Sequence, residues 1–448
     1  MTAHAVPGTT FHVSNEGRDD SPGTSQEAPW ATIPRVQQAI ESGEVRRGDA
    51  VLFHAGHRFF GQFSDLEALQ GQGRIVFGAY GVGERPQIVG YKVLDKAQAW
   101  TRVGEGLWRL QLDDPGSHEG NHSTTDANVG LLRVDGELLG GRRLSLAELQ
   151  QDWDWYCDLE AGTLTVRNQD NPSLEHEVLA AVDGRLFQAV DEMTIEGLDL
   201  VGCGGHGVQV RDARGVRVLG NRIQQIGGSE LLTFHIPGVR YGNGVEVWIN
   251  SHDVLVEGNV IHDVYDVAIT LQGEQVVEPT GAEPTIRHGW SEVHVRGNRI
   301  TRCSQSFEIW CRGQAIHDEA GELVRELRHD GPGAGYVNCS FTGNHCTDAG
   351  VGWGYEVRPD KDAGGVHLLS YSEELPMGLR ITGNTFHDAV NAYLYRNDEQ
   401  PTGLVIEGNE IRLKPNQRIQ QQRPERFPEH EAWSTATGFD RESTWVAG

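Results

Sequence analysis

The sequence has little lysine, no long apolar run and a large deficit of positive charge. Lysine occurs four times, at Lys92, Lys96, Lys361 and Lys414, so a positively charged site must be built mainly from arginine. The formal net charge of -26, from 64 acidic and 38 basic side chains, disfavours nucleic acids and anionic membrane surfaces as partners. No apolar run approaches the ~18 residues of a membrane-spanning helix. The sequence therefore predicts neither a nucleic-acid partner nor a membrane partner.

Cysteine is also scarce, and its spacing excludes two common uses. The six cysteines show neither CxxC spacing nor the framework of a small disulfide-rich domain. We expect free, buried thiols. The 57 glycines and the asparagine-rich turns suit many short strands joined by tight turns, which favours an all-β fold. At the start, residues 1 to 8 lack the charged and apolar segments of a secretion signal.

One pattern recurs six times: alternating aliphatic residues, then Gly-Asn, then a short aliphatic strand. The asparagines of the six copies are Asn221, Asn259, Asn298, Asn344, Asn384 and Asn409. Each copy predicts a strand, a sharp bend in which the asparagine adopts the left-handed conformation, and a second strand. Asparagine amides stacked in successive coils can bond to one another as a ladder. A third strand follows in segments such as GVEVWI and SFEIWC, which predicts a right-handed parallel β-helix with three strands per coil.

This repeat resembles the pectin-lyase-like family of right-handed parallel β-helix proteins. The resemblance extends to the opening segments FHVSNEGRDDSPGTSQEAPWATIPRVQQAI, GDAVLFHAGHRFFGQF and IVFGAYGVGERPQIVG, and it covers about residues 10 to 415. It implies a helical cap around Ile33 to Ile40, followed by the first coils, and a secreted or periplasmic protein. Because the family includes hydrolases, lyases, epimerases and non-catalytic spikes, the resemblance implies architecture more than one reaction.

The pattern divides the chain into four parts. Residues 1–94 form an N-terminal cap and the first coils. Residues 95–185 break the coil pattern, and their segments LWRLQL, LLRVDGELL and GTLTVRN indicate an inserted β-rich subdomain with a short helix at LSLAELQQDWDW. Residues 186–415 form the main β-helix, and the polar residues 416–448 an extended or helical tail beyond the solenoid.

Side chains alternate across a strand, so placing the aliphatic residues inside predicts which residues face outward. Two outward columns follow. The first carries Gln209, Glu246, either Ala268 or Thr270, and Glu308. The second carries Arg211, Trp248, Gln272 and Trp310. A later coil adds Tyr393 and Tyr395. Asp266 lies just before its strand, on the same side.

Carboxylates beside tryptophans suit a groove that cleaves glycosidic bonds, because aromatic faces stack on sugar rings while paired carboxyl groups supply acid and base or nucleophile. We therefore expect a glycoside hydrolase acting on a polysaccharide or oligosaccharide without a cofactor. Asp266 and Glu308 are the expected principal pair, at ~5 to 6 Å as in retaining enzymes. Glu246 is a third acid that tunes them or binds a hydroxyl.

Two long loops are expected to wall this groove, and long loops on a rigid scaffold often carry binding residues. One precedes GVEVWI and offers His235, Arg240 and Tyr241; the other follows Glu356 and offers Lys361 and His367. The candidate substrate contacts are thus Trp248, Trp310, Arg211, Gln272, Arg240, Tyr241, Tyr393 and Tyr395.

The sequence is compatible with two alternatives. A polysaccharide lyase acting by β-elimination on a uronate-containing glycan would use Asp266, Glu246 and Glu308 as Ca²⁺ ligands, with Arg211, Arg240, Tyr241 and His235 assisting. A non-catalytic glycan-binding spike or adhesin would keep the tryptophans but has no need of carboxylates on successive coils. All three readings share a carbohydrate partner.

Overall fold

The aliphatic segments of the sequence form strands that pair in parallel with the equivalent strands of neighbouring coils. The computed structural model describes residues 8–112, 119–120, 127–139, 141–232, 238–275, 277–278, 285–286, 289–317, 323–327, 334–358, 363–373, 375–396, 403–415, 417–421 and 429–447. Three long sheets run along the solenoid, and successive strands of the chain belong to different sheets. This confirms the right-handed parallel β-helix with three strands per coil.

We name the three sheets face 1, face 2 and face 3. In spatial order, face 1 comprises Thr10–Val13, Ala50–His54, Ile75–Tyr80, Met193–Glu196, Arg217–Leu219, Ser251–Glu257, Gly289–Arg296, Gly335–Thr342, Met377–Thr382 and Val405–Glu407. Face 2 comprises Arg58–Phe60, Gln87–Val89, Asp199–Cys203, Arg222–Ile226, Val260–Val264, Arg299–Thr301, His345–Thr347, Thr385–His387, Glu410–Leu413 and Thr444–Ala447. Face 3 comprises Arg185–Ala189, His206–Val210, Val245–Trp248, Val267–Glu274, Gln305–Arg312, Val366–Glu373, Ala392–Arg396 and Arg418–Gln421.

The asparagine ladder joins faces 1 and 2. The side-chain amide of Asn221 donates to Asn259 Oδ1 at 3.2 Å, and Asn259 donates to Asn298 Oδ1 at 2.9 Å. The same bond repeats down the ladder as far as Asn409. The expectation that asparagine takes the left-handed conformation is wrong: the preceding glycine does so, as at Gly258 with φ +66°. Glycine adopts this conformation without strain because it has no Cβ. The asparagine that follows it forms the hydrogen bonds of the ladder.

Inward aliphatic and aromatic side chains fill the solenoid as one continuous core. Aromatic rings stack between coils, as do Trp290 and Tyr336, with centroids 4.4 Å apart. All six cysteines are free and buried, as expected. At the N-terminal end, the helix Ile33–Glu41 closes the core; Thr32 accepts a hydrogen bond from the backbone N–H of Arg35, which caps the first turn.

The insertion forms two five-stranded sheets around a core of its own. One sheet comprises Glu137–Leu139, Val129–Val134, Val178–Val182, Tyr91–Val93 and Glu119–Gly120. The other comprises Arg142–Arg143, Trp155–Asp158, Thr163–Arg167, Leu107–Gln111 and Thr101–Gly104. The short helix expected at LSLAELQQDWDW is only a 3₁₀ turn, Leu146–Glu148, and another 3₁₀ turn spans Ala97–Ala99.

The solenoid extends beyond residue 415, where a tail was expected. Arg418–Gln421 pairs with face 3 and Thr444–Ala447 with face 2, while the helix His430–Thr437 places Trp433 on the end of the core. Strands at the end of a solenoid bury few side chains, so their sequences are polar. The polar composition of this segment therefore did not indicate strands.

The remaining elements lie in loops. They are the hairpins Ser229–Glu230 with Arg240–Tyr241, Val277–Glu278 with Thr285–Ile286 and Gln314–His317 with Leu323–Leu327, and the short helix Trp353–Glu356. No helix in the described part of the chain has the length and apolar character needed to cross a bilayer.

Candidate functional site

Strand register on face 3 aligns polar residues of successive coils into one outward row. Gln209 pairs with Glu246, Glu246 with Thr270, and Thr270 with Glu308, after which Leu369 and Tyr395 follow. We call these six residues the central column. The sequence left open whether Ala268 or Thr270 belongs to this row. The register places Thr270 in it, and Ala268 packs into the core.

Glu246 lies at the middle of the polar part of the central column and is 3% exposed. Its inward neighbours Val245 and Val247 belong to the core, so alternation turns its side chain outward. The amide of Gln272 donates to Oε1 at 2.7 Å, and the amide of Gln209 donates to Oε2. His206 Nε2 lies 3.3 Å from the same Oε2. Three nitrogens thus converge on one buried carboxylate and hold it in place.

His206 is the main site residue that sequence reasoning missed. Its Nδ1 accepts a hydrogen bond from the backbone N–H of Asn243 at 3.2 Å, so the ring proton lies on Nε2 and points to Glu246. Burial lowers the pKa of His206, against the opposing influence of the Glu246, Asp183 and Asp266 carboxylates. The ring therefore donates as neutral imidazole. The sequence did contain a clue, because His206 precedes Gln209 by three residues and so begins the same strand. The glycine-rich segment around His206 was interpreted only as a turn.

Asp183 and Tyr241 form a second pair beside His206. The Tyr241 hydroxyl donates to Asp183 Oδ1 at 2.5 Å, and the Tyr241 and His206 rings lie 5.2 Å apart. Burial, reinforced by the Asp183 charge, raises the pKa of Tyr241. Nearby, Arg185 Nε donates to Gln209 Oε1 at 2.5 Å. Tyr241 therefore lies at the site as expected, as a protonated hydroxyl already engaged with a carboxylate.

Asp266 is held in an ion pair. Its Oδ1 lies 2.7 Å from Arg358 Nη1, and the two side chains are 20% and 15% exposed. The register places Thr270, four residues further along, between Glu246 and Glu308. Asp266 therefore stands at the entry of the strand rather than within the row of carboxylates, which differs from the spacing expected from the sequence. Alternation alone could not reveal this, because Arg358 comes from a distant loop.

The three acids also do not gather as a set of metal ligands. Within the described ranges, no group of three or more His, Cys, Asp or Glu side chains is placed to hold a metal ion. The Ca²⁺ cluster of Asp266, Glu246 and Glu308 required by the lyase alternative is therefore not formed by these positions.

A row of aromatic and cationic groups flanks the central column. Trp248, Gln272 and Trp310 are in register on consecutive strands, and the two tryptophan ring centroids lie 6.1 Å apart. The guanidinium of Arg211 lies 5.8 Å from the Trp248 ring and that of Arg312 5.2 Å from the Trp310 ring. We call these five residues the aromatic column. The predicted contacts Arg211, Trp248, Gln272 and Trp310 are thus brought together.

Tyr393 and Tyr395 were both predicted to face the groove, and Tyr393 is a correction. Its ring is fully buried in the solenoid core, and its hydroxyl donates to Asp440 Oδ2 at 3.0 Å. The strand turns a corner here, so two consecutive residues point inward and simple alternation fails. Tyr395 does face outward, but it packs with Val366 and Leu369 and is 8% exposed.

Arg240 and His367 are further corrections. Arg240 donates to the backbone carbonyls of Gly228 and Gly130, at 2.5 and 2.6 Å, and thus ties the groove-wall hairpin to the insertion. His367 is buried in the solenoid interior, where Ser306 Oγ lies 3.0 Å from its Nδ1. Ser306, predicted to face outward, therefore points inward with it. His235 and Lys361 lie outside the described residues.

By sequence, neither a protein-family model nor a curated protein matches the chain. By structure, the XylC complex with xylose matches with a TM-score of 0.52 and 13% identity over 91% of this chain. This chain spans 66% of the XylC chain. A glycoside hydrolase matches with a TM-score of 0.48 and 10% identity, over 98% of this chain and 95% of the other. Pectate lyase Pel9A matches with a TM-score of 0.43 and 11% identity, over 91% of this chain and 68% of the Pel9A chain. At such identities, the likeness to XylC supports the fold alone.

Proposed function

We propose that the chain is a glycoside hydrolase whose reacting carboxyl groups are Glu246 and Glu308. The observation that carries the proposal is their register: both side chains project from the central column, two strands apart, with Thr270 between them. Both are 3% exposed, so each is held within the protein surface rather than free in solvent. Paired carboxyl groups beside a sugar-binding surface are the machinery of most glycosidases.

The spacing favours inversion of configuration. Strands of one sheet lie ~4.8 Å apart, so two strands separate the glutamate backbones by ~10 Å. Side chains that lean together from this distance reach the ~6.5 to 9.5 Å of inverting enzymes, whereas retaining enzymes need ~5 to 5.5 Å.

The contacts of Glu246 are the basis for assigning the two roles. The donors Gln209, Gln272 and His206 surround the Glu246 carboxyl group and fix its orientation, so Glu246 is assigned as the general base. Glu308, the second carboxyl group of the central column, is then assigned as the general acid. This replaces Asp266 in the expected pair, because Arg358 already engages the Asp266 carboxylate.

The aromatic column supplies the surface on which sugar rings would bind. The indole faces of Trp248 and Trp310 are half-buried, and their centroids lie 6.1 Å apart, about the length of one pyranose ring. A neighbour of the same fold, XylC, was solved with a monosaccharide, and the proposal gives this chain a ligand of that chemical class.

Elimination is the weaker reading of the same residues. The sequence offered Tyr241 as a candidate base for abstracting the C5 proton of a uronate. Burial and the Asp183 carboxylate raise the pKa of Tyr241, so its phenol keeps its proton at neutral pH. The Tyr241 hydroxyl also donates to Asp183 Oδ1 and is thus already engaged within the protein.

The experiment is product analysis after incubation with a panel of neutral and uronic glycans. Reducing ends should appear without the ultraviolet absorbance of an unsaturated uronate. Glu246→Gln and Glu308→Gln should abolish them, whereas Glu257→Gln, at a half-buried glutamate on face 1, should not. Unsaturated products would show a lyase, and binding without any cleavage would show a glycan-binding protein.

A further inference from the structure

The strand Arg58–Phe60 lies at the end of face 2, so one of its two edges is open. On the paired edge, the backbone N–H of Gly61 donates to the carbonyl of Val89. In a parallel sheet, alternate residues of a strand bond to opposite neighbours. The backbone N–H and C=O groups of Arg58 and Phe60 therefore point to the open edge.

Asn15 and Ile33 cover this edge on either side of Phe60. The Asn15 side chain accepts from the Arg58 N–H at 3.1 Å and donates to the Arg58 carbonyl at 3.0 Å, so it takes the place of a strand. Beyond Phe60, a Cβ on Gly61 would come within 2.8 Å of Ile33 Cγ2. None of the described residues bonds to the N–H and C=O of Phe60 on this edge. A donor and an acceptor thus lie side by side without a protein partner.

A cavity of about 240 Å³, open to solvent, lies between these two covers. Arg58–Phe60 and residues 31–34 line its opposite sides, and Asn15 lines one end. The Phe60 ring is half-buried, and the exposed Arg58 guanidinium lies 5.6 Å from its centroid. Sites for drug-sized ligands hold ~300 to 1,000 Å³, so this cavity has room for one small ring. We call it the cap cavity.

We propose that the cap cavity binds one neutral sugar unit, whose neighbouring hydroxyl groups pair with the backbone N–H and C=O of Phe60. A hydroxyl both donates and accepts, so two adjacent hydroxyls of a sugar ring accept from the N–H and donate to the C=O at once. The Arg58 guanidinium supplies donors for the remaining oxygens. The Phe60 ring and Pro34 supply apolar surface for the C–H groups of the sugar.

Two other classes of ligand suit the cap cavity less well. A carboxylate or phosphate group only accepts hydrogen bonds, so it would leave the Phe60 carbonyl unpaired, and the net charge of -26 repels it. An extended peptide would have to run along the edge past Arg58 and Gly61. Asn15 and Ile33 already occupy that path.

The cap cavity is separate from the proposed catalytic groove. Phe63, in the coil of Phe60, lies three coils from Val245, the neighbour of Glu246. Three coils span ~14 Å along the axis, and Phe60 and Glu246 also belong to different faces. A sugar in the cap cavity therefore does not touch the reacting groups, and it would hold a glycan at a second point on the surface.

The test uses the full-length Trp248→Ala, Trp310→Ala double variant, so that the aromatic column does not contribute to binding. Saturation-transfer NMR measures its affinity for glucose, galactose, mannose and xylose, one at a time. We expect at least one sugar to bind. Adding Ala31→Phe should weaken that binding by about 10-fold or more, because the new ring fills the cavity. Ala161→Phe, at an exposed alanine of the insertion, should leave the affinity unchanged.

Arg58→Met is a second variant that keeps the apolar stem and removes the donors. It should weaken binding by about 3- to 10-fold, whereas Arg299→Met, at an exposed arginine of the same face, should not. Melting temperatures establish that each variant folds. Binding of none of the four sugars, unchanged affinity in both cavity variants, or tighter binding of glucuronate than of glucose would overturn the inference. Absence of glycan hydrolysis together with intact sugar binding at the cap cavity would overturn only the proposed function.

Discussion

The side-chain amide of Gln272 donates to Glu246 Oε1 at 2.7 Å, which joins the aromatic column to the central column. Gln272 lies between Trp248 and Trp310 in register, so the side chain that bonds to the proposed base belongs to the same row as the proposed sugar platform. A sugar stacked on the tryptophans is thereby placed at a fixed position relative to the carboxylate.

Gln272→Met removes the donor while keeping similar length. We expect kcat/KM for the hydrolysed glycan to fall by about 10- to 100-fold, because a hydrogen bond to a charged group is lost. Gln224→Met is the matched control, since Gln224 donates to Asp199 Oδ1 at 2.8 Å on face 2. Steady-state kinetics should show full activity in the control. Equal loss in both variants would show that Gln272 only supports the fold.

Trp248→Ala and Trp310→Ala should each weaken substrate binding. Loss of one stacking surface should raise KM by about 2- to 10-fold, and the double variant should lose more than either single one. Trp153→Ala in the insertion, where the indole contacts His176 with ring centroids 5.1 Å apart, serves as control. Binding to an inactive Glu308→Gln background is measured by calorimetry. Unchanged affinity in the double variant would remove the aromatic column from the site.

Asn298→Ala should strongly destabilise the solenoid. Asn298 donates to Asn344 Oδ1 at 2.9 Å and to the carbonyl of Val256 at 3.0 Å, and its Oδ1 accepts from Asn259. Removing it leaves several buried groups unpaired, at a cost of about 3 kcal/mol or more. Gln26→Ala, at an exposed glutamine, should change the free energy of unfolding by less than about 0.5 kcal/mol. Urea denaturation measures both values, and similar values would mean that the ladder contributes little.

The free energy of unfolding should fall in mild acid partly because of His367. Burial lowers the pKa of His367 to about 3, against 6.5 for an exposed histidine. Between these values the unfolded chain binds a proton that the folded chain does not, so stability is lost as the pH falls below 6.5. At pH 4.5 the loss from this residue is about 2 to 3 kcal/mol.

His367→Asn tests this linkage, because the amide can still meet Ser306. Denaturation at pH 7 and pH 4.5 should show a difference between the two pH values that is about 2 to 3 kcal/mol smaller in the variant than in the unmodified protein. Parallel dependence in the two proteins would show that His367 is protonated in the folded state.

The sequence allowed the fold to be predicted from the ladder because Gly-Asn bends between aliphatic strands repeat at regular intervals. It also allowed the two outward rows to be predicted, since alternation holds along the straight part of each face 3 strand: Glu246, Glu308, Trp248 and Trp310 lie as expected. Alternation failed at coil corners, where two consecutive residues point inward, and this misplaced Tyr393.

Contacts between residues far apart in the sequence could not be predicted from strand patterns. Asp266 meets Arg358, 92 positions away, and Tyr241 meets Asp183, 58 positions away. His206 was missed because a glycine-rich segment was interpreted without reference to the coil that it begins. For Asp266 and Tyr241 the deciding contact depends on how distant segments of the chain meet, and no local period encodes that.

The most direct test of the central claim compares Glu246→Gln and Glu308→Gln on two substrates that differ only in the leaving group. With a natural glycan, both should lower kcat by about 10²- to 10⁴-fold. With an activated aryl leaving group, which departs without protonation, Glu308→Gln should regain much of its activity and Glu246→Gln should not. That result would identify acid and base; full activity in either variant on the natural glycan would contradict the assignment of Glu246 and Glu308 as the reacting pair.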